Sequence, residues 1–134
     1  MSLRPSRPML GILLVVLVCA CSPEHPAAPP SNRPPTILSV SAVPDTIALS
    51  DSTTIMCNAV DPDGDDLVYD WFTTIPLKIA GAPQGVYLYG TDSYTRVFYY
   101  AGPDSLTTYR RVQVFARDPG GLQDGVEFRV YLRD

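Results

Sequence analysis

Residues that carry out chemistry are scarce in this chain. Its 134 residues include one histidine, His25, and three cysteines, Cys19, Cys21 and Cys57. Without a histidine near the β-patterned region, a Ser–His–Asp arrangement cannot form and Cys57 has no base. A zinc or catalytic metal site lacks ligands for the same reason. Paired carboxylates do occur, but in a turn-like segment with no apolar pocket to raise one pKa. The chain therefore does not read as an enzyme. Basic charge is also sparse: the formal charge is −4, and losing Arg4 and Arg7 takes it to −6. Such a balance argues against nucleic acid as a partner. The apolar run MLGILLVVLVCA, residues 9–20, falls short of the about 20 residues that span a bilayer. Helical periodicity is missing too, since no stretch longer than one turn fits it.

What is present begins with that run. Arg4 and Arg7, a short apolar middle and a small residue before a cut point have the form of a secretory signal. Val18-Cys19-Ala20-Cys21 resembles the lipobox of bacterial lipoproteins, with Val18 and Ala20 in agreement and Cys19 less usual. The resemblance implies a signal peptide over residues 1–20, with Cys21 lipidated as the mature N-terminus; an ordinary signal peptide is the alternative. Ser22 is not the aspartate that in many lineages retains a lipoprotein at the inner membrane, which favours the outer membrane of a bacterial cell envelope. Residues 22–35, SPEHPAAPPSNRPP, hold six prolines and no large apolar side chain. With Cys21 they read as a disordered tether, reaching roughly 40 Å if extended. Cys57 then stands alone, with no partner for an internal disulfide, and reads as a small buried hydrophobe.

From residue 36 to 134 the pattern has a period of two. Ile55, Cys57 and Ala59 share one face, as do Leu67, Tyr69 and Trp71. Val112, Val114 and Ala116 oppose Arg111, Gln113 and Arg117; Val126, Phe128, Val130 and Leu132 oppose Glu127, Arg129, Tyr131 and Arg133. About seven half-buried strands with regular turns predict an all-β, two-sheet β-sandwich of immunoglobulin-like form. In Asp118-Pro119-Gly120-Gly121, Pro fixes φ and the glycine after it is free to take φ > 0.

NRPPTI at 32–37, NAVDPDGDDLVYDW at 58–71 and VFARDPGG at 114–121 together resemble a bacterial PKD or immunoglobulin-like, cadherin-like domain. The resemblance covers nearly all of residues 32–134 and implies a core built on Cys57 and Trp71, with Val112 and Val114 where antibody-type domains carry the second disulfide cysteine. It also casts Tyr109 as a tyrosine corner whose hydroxyl bonds nearby backbone.

Asp61, Asp63, Asp65 and Asp66 crowd one turn. An EF-hand is excluded, because counting from Asp61 puts Gly64 at position 4 and Phe72 at position 12. Pro62 and Gly64 suit a tight turn, and Asp61 and Asp63 can accept backbone N–H groups two residues on. Under immunoglobulin connectivity Asp118, and with it Asp124, comes to the same end of the sandwich. Asp61, Asp63, Asp65, Asp66 and Asp118 are thus candidate calcium ligands of weak affinity, the alternative being a solvated acidic turn. Of eight tyrosines, five lie in residues 86–100. Tyr94, Phe98 and Tyr100, with Arg96, would share one strand face, as a candidate aromatic platform or as cross-strand pairs that stiffen the sheet. The expected function is a non-catalytic interaction or structural module, anchored to the membrane by its lipid and facing another envelope protein or a glycan. The alternatives are a calcium-dependent adhesion module and an accessory subunit of an envelope enzyme or transport complex.

Overall fold

A computed structural model describes residues 30–102 and 108–133 of the chain. Cys21, the signal segment and most of the Pro-rich tether lie outside the described residues. Nine strands are present among those described: β1 (Thr36–Val43), β2 (Thr46–Ala48), β3 (Ser52–Val60), β4 (Val68–Phe72), β5 (Leu77–Ile79), β6 (Tyr87–Thr91), β7 (Thr95–Tyr100), β8 (Tyr109–Arg117) and β9 (Gln123–Arg133). They form a four-stranded sheet ordered β1-β3-β7-β5 and a five-stranded sheet ordered β2-β9-β8-β4-β6. The molecule is the two-sheet β-sandwich expected, with more strands than the seven anticipated. The additions are short: β2 and β5 have three residues each.

Alternation decides which side chains enter the core. Thr53, Ile55 and Cys57 of β3, Phe98 and Tyr100 of β7, Val112, Val114 and Ala116 of β8, and Val130 and Leu132 of β9 are all buried. Trp71 of β4 lies at the centre, its ring edge-on to Phe98 of the opposite sheet at 6.0 Å and beside Tyr69 at 6.4 Å. Cys57 is a free, buried thiol, and its loss of water, with Asp124 nearby, pushes its pKa up to about 11.

Three expectations change here. Tyr109 does not sit in the core. As the first residue of β8 it falls on the outward-facing register with Arg111 and Gln113, its ring beside Tyr131 at 6.2 Å and beneath the Arg129 guanidinium at 4.5 Å. Phe98 and Tyr100 are core residues rather than a platform, and only Tyr94 of that set is exposed. The tether boundary moves as well. The compact unit begins at Ser31, and Pro35 is buried, because residues 32 and 33 bond to the domain itself.

Candidate functional site

The acidic end of the sandwich is built from three segments: the β3–β4 loop, the β8–β9 turn and the residues just before β1. In the first, Pro62 sets a corner and Gly64 takes φ +79°, a conformation that costs glycine least. Asp61 Oδ1 accepts the N–H groups of Asp63 at 2.8 Å and Asp65 at 3.3 Å, and its carbonyl accepts that of Gly64 at 3.2 Å. Local geometry thus uses Asp61 as a turn residue.

Asp63 is used differently. Arg33 grips it with main chain and side chain together: its N–H donates to Oδ2 at 2.7 Å, and Nε and Nη2 donate to Oδ1 at 2.9 and 2.7 Å. Nη2 also reaches the Pro62 carbonyl at 2.6 Å. These bonds hold the Asp63 carboxyl below the usual carboxylate range. An exposed ion pair adds little stability by itself. The value of this one lies in the geometry of three donor groups making four hydrogen bonds to one turn.

The second turn is gripped by the neighbouring residue. Asp118 is 2% exposed, and its Oδ1 accepts the Leu122 N–H at 2.8 Å while its Oδ2 accepts Asn32 Nδ2, also at 2.8 Å. Gly121, not Gly120, carries the positive φ, +87°. Gly120 serves another purpose: a Cβ there would lie 2.4 Å from Asn32 Nδ2, so a side chain would evict Asn32. Asp124 closes the junction, its Oδ2 accepting the Ile37 N–H at 2.8 Å as β1 begins.

The five candidate calcium ligands are therefore near one another but differently occupied. Asp63 and Asp118 are taken by Arg33 and Asn32. Asp66 is exposed to water. The pKa of Asp65 is raised by its partial loss of water, then by the negative charge of Asp61, Asp118, Asp63 and Asp66. Asp61 Oδ2 is buried and has no hydrogen-bond partner among the described residues. Among those residues no three His, Cys, Asp or Glu side chains converge as a metal-binding group. Asp70, close by in sequence, belongs elsewhere. It faces the outer side of the five-stranded sheet, accepting the Gly90 N–H at 2.6 Å and lying 3.3 Å from the Arg117 guanidinium.

Clefts open on both sheets of the described surface. Tyr94, whose carbonyl accepts the Cys57 N–H at 2.8 Å, borders one of about 290 Å³ together with Met56, Asn58 and Tyr69. Another, about 190 Å³, lies on the outer face of the five-stranded sheet against Phe72, Arg111, Gln113 and Glu127. Sequence reasoning missed the second. Outward positions of β8 and β9 were legible from alternation, but the pairing of β4 with β8 had to be placed before Phe72 could be seen to wall the cleft beside them.

No protein-family model matches the chain, and none of the curated proteins does. Among solved structures it is similar to the solution NMR structure of a lipoprotein from Bacteroides thetaiotaomicron. The two are 19% identical over 80% of this chain and 85% of that one, with a TM-score of 0.43. A likeness at that level carries no statement about role.

Proposed function

We propose that this chain is a lipid-anchored protein of the bacterial cell envelope whose sandwich, of the PKD or immunoglobulin-like kind, acts as a non-catalytic interaction module. The anchor is Cys21, the spacer is the Pro-rich segment, and the favoured address is the outer membrane. The observation that carries the reading is the pair of contacts from Asn32 to Asp118 and from Arg33 to Asp63. They turn the acidic end into a latch for the incoming chain, which suits a domain that is displayed and loaded from outside. The latch also shortens the spacer to residues 22–30, a reach of about 28 Å in an extended polyproline-like form. Fractionation of cells expressing the full chain and its Cys21→Ser variant tests the anchor. The wild type is expected in the outer-membrane fraction and the variant in the soluble fraction. A variant that remains with the membrane overturns the anchor.

A second reading, calcium binding at the same end, is favoured by one observation: the buried, unpartnered Oδ2 of Asp61 beside an Asp65 crowded by negative charge. At about a hundredfold over Kd, calcium adds about 2.7 kcal/mol, or about 10 °C or more in melting temperature for a domain of this size. Melts of the full chain in EDTA and in about 10 mM calcium, a hundredfold over a Kd of about 10⁻⁴ M, decide it. Coincident curves remove this reading.

A further inference from the structure

The outer face of the five-stranded sheet carries an arrangement that neither the latch nor the core explains. Strand register places Tyr87, Phe72, Gln113 and Glu127 in one row across β6, β4, β8 and β9. At about 4.8 Å between strands the row is roughly 14 Å long. Half of it is aromatic and half is polar. On the aromatic side, Phe72 is braced edge-to-face by Tyr89 at 5.1 Å and by Phe115 at 5.8 Å, and Tyr89 in turn meets Tyr87 at 5.3 Å. Phe115 reaches its place because Gly125 lies opposite, where a Cβ would come 2.4 Å from the ring. Tyr87 and Tyr89 are both exposed.

On the polar side, Gln113 Nε2 donates to Glu127 Oε2 at 3.2 Å, and Arg111 Nε lies 3.5 Å from Glu127 Oε1. Thr73 Oγ1 bonds the Arg111 carbonyl at 3.1 Å, tying the end of β4 to β8 at the cleft. The cleft of about 190 Å³ lies where the two sides meet, with Phe72 as one wall. That is smaller than sites enclosing a drug-sized molecule, so it takes one ring of a longer ligand and leaves the rest on the open row.

We propose that this row binds an oligosaccharide, with one pyranose ring in the cleft against Phe72 and its hydroxyls bonded to Arg111, Gln113 and Glu127. The donor and acceptor chemistry selects the class. A phosphate or sulfate needs only donors and is repelled by the Glu127 carboxylate. An apolar segment would strip water from the N–H groups and lone pairs that the mutual bonds of Arg111, Gln113 and Glu127 leave over. A polyol satisfies all three, since each hydroxyl both donates and accepts: it accepts from the guanidinium and the amide and donates to the carboxylate. The C–H face of a sugar ring, slightly positive and apolar, matches the negative face of an aromatic ring. Because Phe72 is braced before the ligand arrives, little ordering is needed on binding.

The proposal deepens the reading of the domain as an interaction module and can fail without it, because a protein partner bound elsewhere would leave that reading standing. The test is a titration of the full chain, in detergent micelles, followed by amide NMR. The probes are cellohexaose, maltohexaose, mannohexaose and chitohexaose, with sodium phosphate as the anion control. At least one saccharide is expected to give saturable shifts centred on Phe72, Gln113 and Glu127. Phe72→Ala and Glu127→Gln are each expected to weaken that binding about tenfold or more, equivalent to about 1.4 kcal/mol. Glu127→Gln keeps the packing, so its effect stands even if Phe72→Ala loosens the sheet. Tyr99→Ala, on the outer face of the other sheet, is expected to leave binding unchanged. Overturning results are an absence of saturable shifts at these residues with all four saccharides, shifts centred on another face, or saturation of the same residues by phosphate in place of sugar.

Discussion

Gly120 shows what one missing side chain does. Its neighbour Gly121 supplies the left-handed turn, while Gly120 leaves room for Asn32 to lie over that turn and reach Asp118. The DPGG run announced a turn, but nothing in its chemistry distinguished a glycine needed for φ from one needed for space. Asn32 lies 86 residues from the Asp118 it reaches. Gly120→Ala is expected to displace Asn32 and leave the buried Asp118 Oδ2 unpaired, a loss of about 1–3 kcal/mol. Asn32→Ala should match it, and denaturant melts of the two variants check the equivalence. Asp63 and Asp65 titrate in opposite senses. Asp63, lowered by Arg33, contributes stability that is present above its unfolded pKa near ~3.9 and is lost as pH falls through the lower folded value. Asp65 is raised, so the folded chain takes up its proton more readily than the unfolded one. Its ionisation therefore opposes folding at neutral pH, and the opposition fades as pH falls through the raised value. Asp65→Asn is expected to raise the melting temperature at pH 7 by ~1 °C or more and to flatten its dependence as pH falls through that raised value toward the unfolded one. A fall at pH 7 would count against the crowding described for this turn.

At the scale of elements, legibility tracked length and contrast. β8 and β9 run for 9 and 11 residues with apolar and charged positions alternating cleanly, and both were read correctly from sequence. β7 was harder, because Val97 and Tyr99 on one face look much like Phe98 and Tyr100 on the other. Composition could not say which pair the core would take. Pairing decides it: Thr53, a core position of β3, sits opposite Phe98, and Ser52, an exposed one, sits opposite Tyr99. Tyr109 misled for a related reason. Resemblance suggested a corner, whereas its register opposite Tyr131 places it on the outer face. The three-residue strands β2 and β5 are too short for any period to show, and each is held on one side only, β2 by β9 and β5 by β7. Local opening free energies follow such differences. Amide exchange is expected to be fastest in β2 and β5 and slowest in β3, β4 and β8, which pair on both sides. Equal protection throughout would contradict that ranking.

For the whole molecule, no disulfide joins the sheets among the described residues, and Cys57 packs as a thiol. Cohesion between the sheets rests on packing around Trp71, which is fully buried against Phe98. Trp71→Ala is expected to cost about 3–5 kcal/mol, a large share of the about 5–15 kcal/mol typical of a domain, and to leave the chain largely unfolded. Trp71 Nε1 has no hydrogen-bond partner among the described residues, so Trp71→Phe should cost distinctly less. Circular dichroism melts of the pair check both statements.

Asp61 and Gly64 shape the loop, Asp63 and Asp118 hold the chain that precedes β1, and Asp65 bears the electrostatic cost of the crowding. The most direct measurement is ¹⁵N relaxation at the Arg33 amide of the full chain, in EDTA and then in about 10 mM calcium, far above a weak-site Kd of about 10⁻⁴ M. A latch requires an order parameter near that of rigid backbone, roughly 0.85, with the amide resonance unmoved by calcium. An order parameter below about 0.6 in EDTA, or saturable calcium shifts at Asp61, Asp65 and Asp118 with release of Arg33, would contradict it.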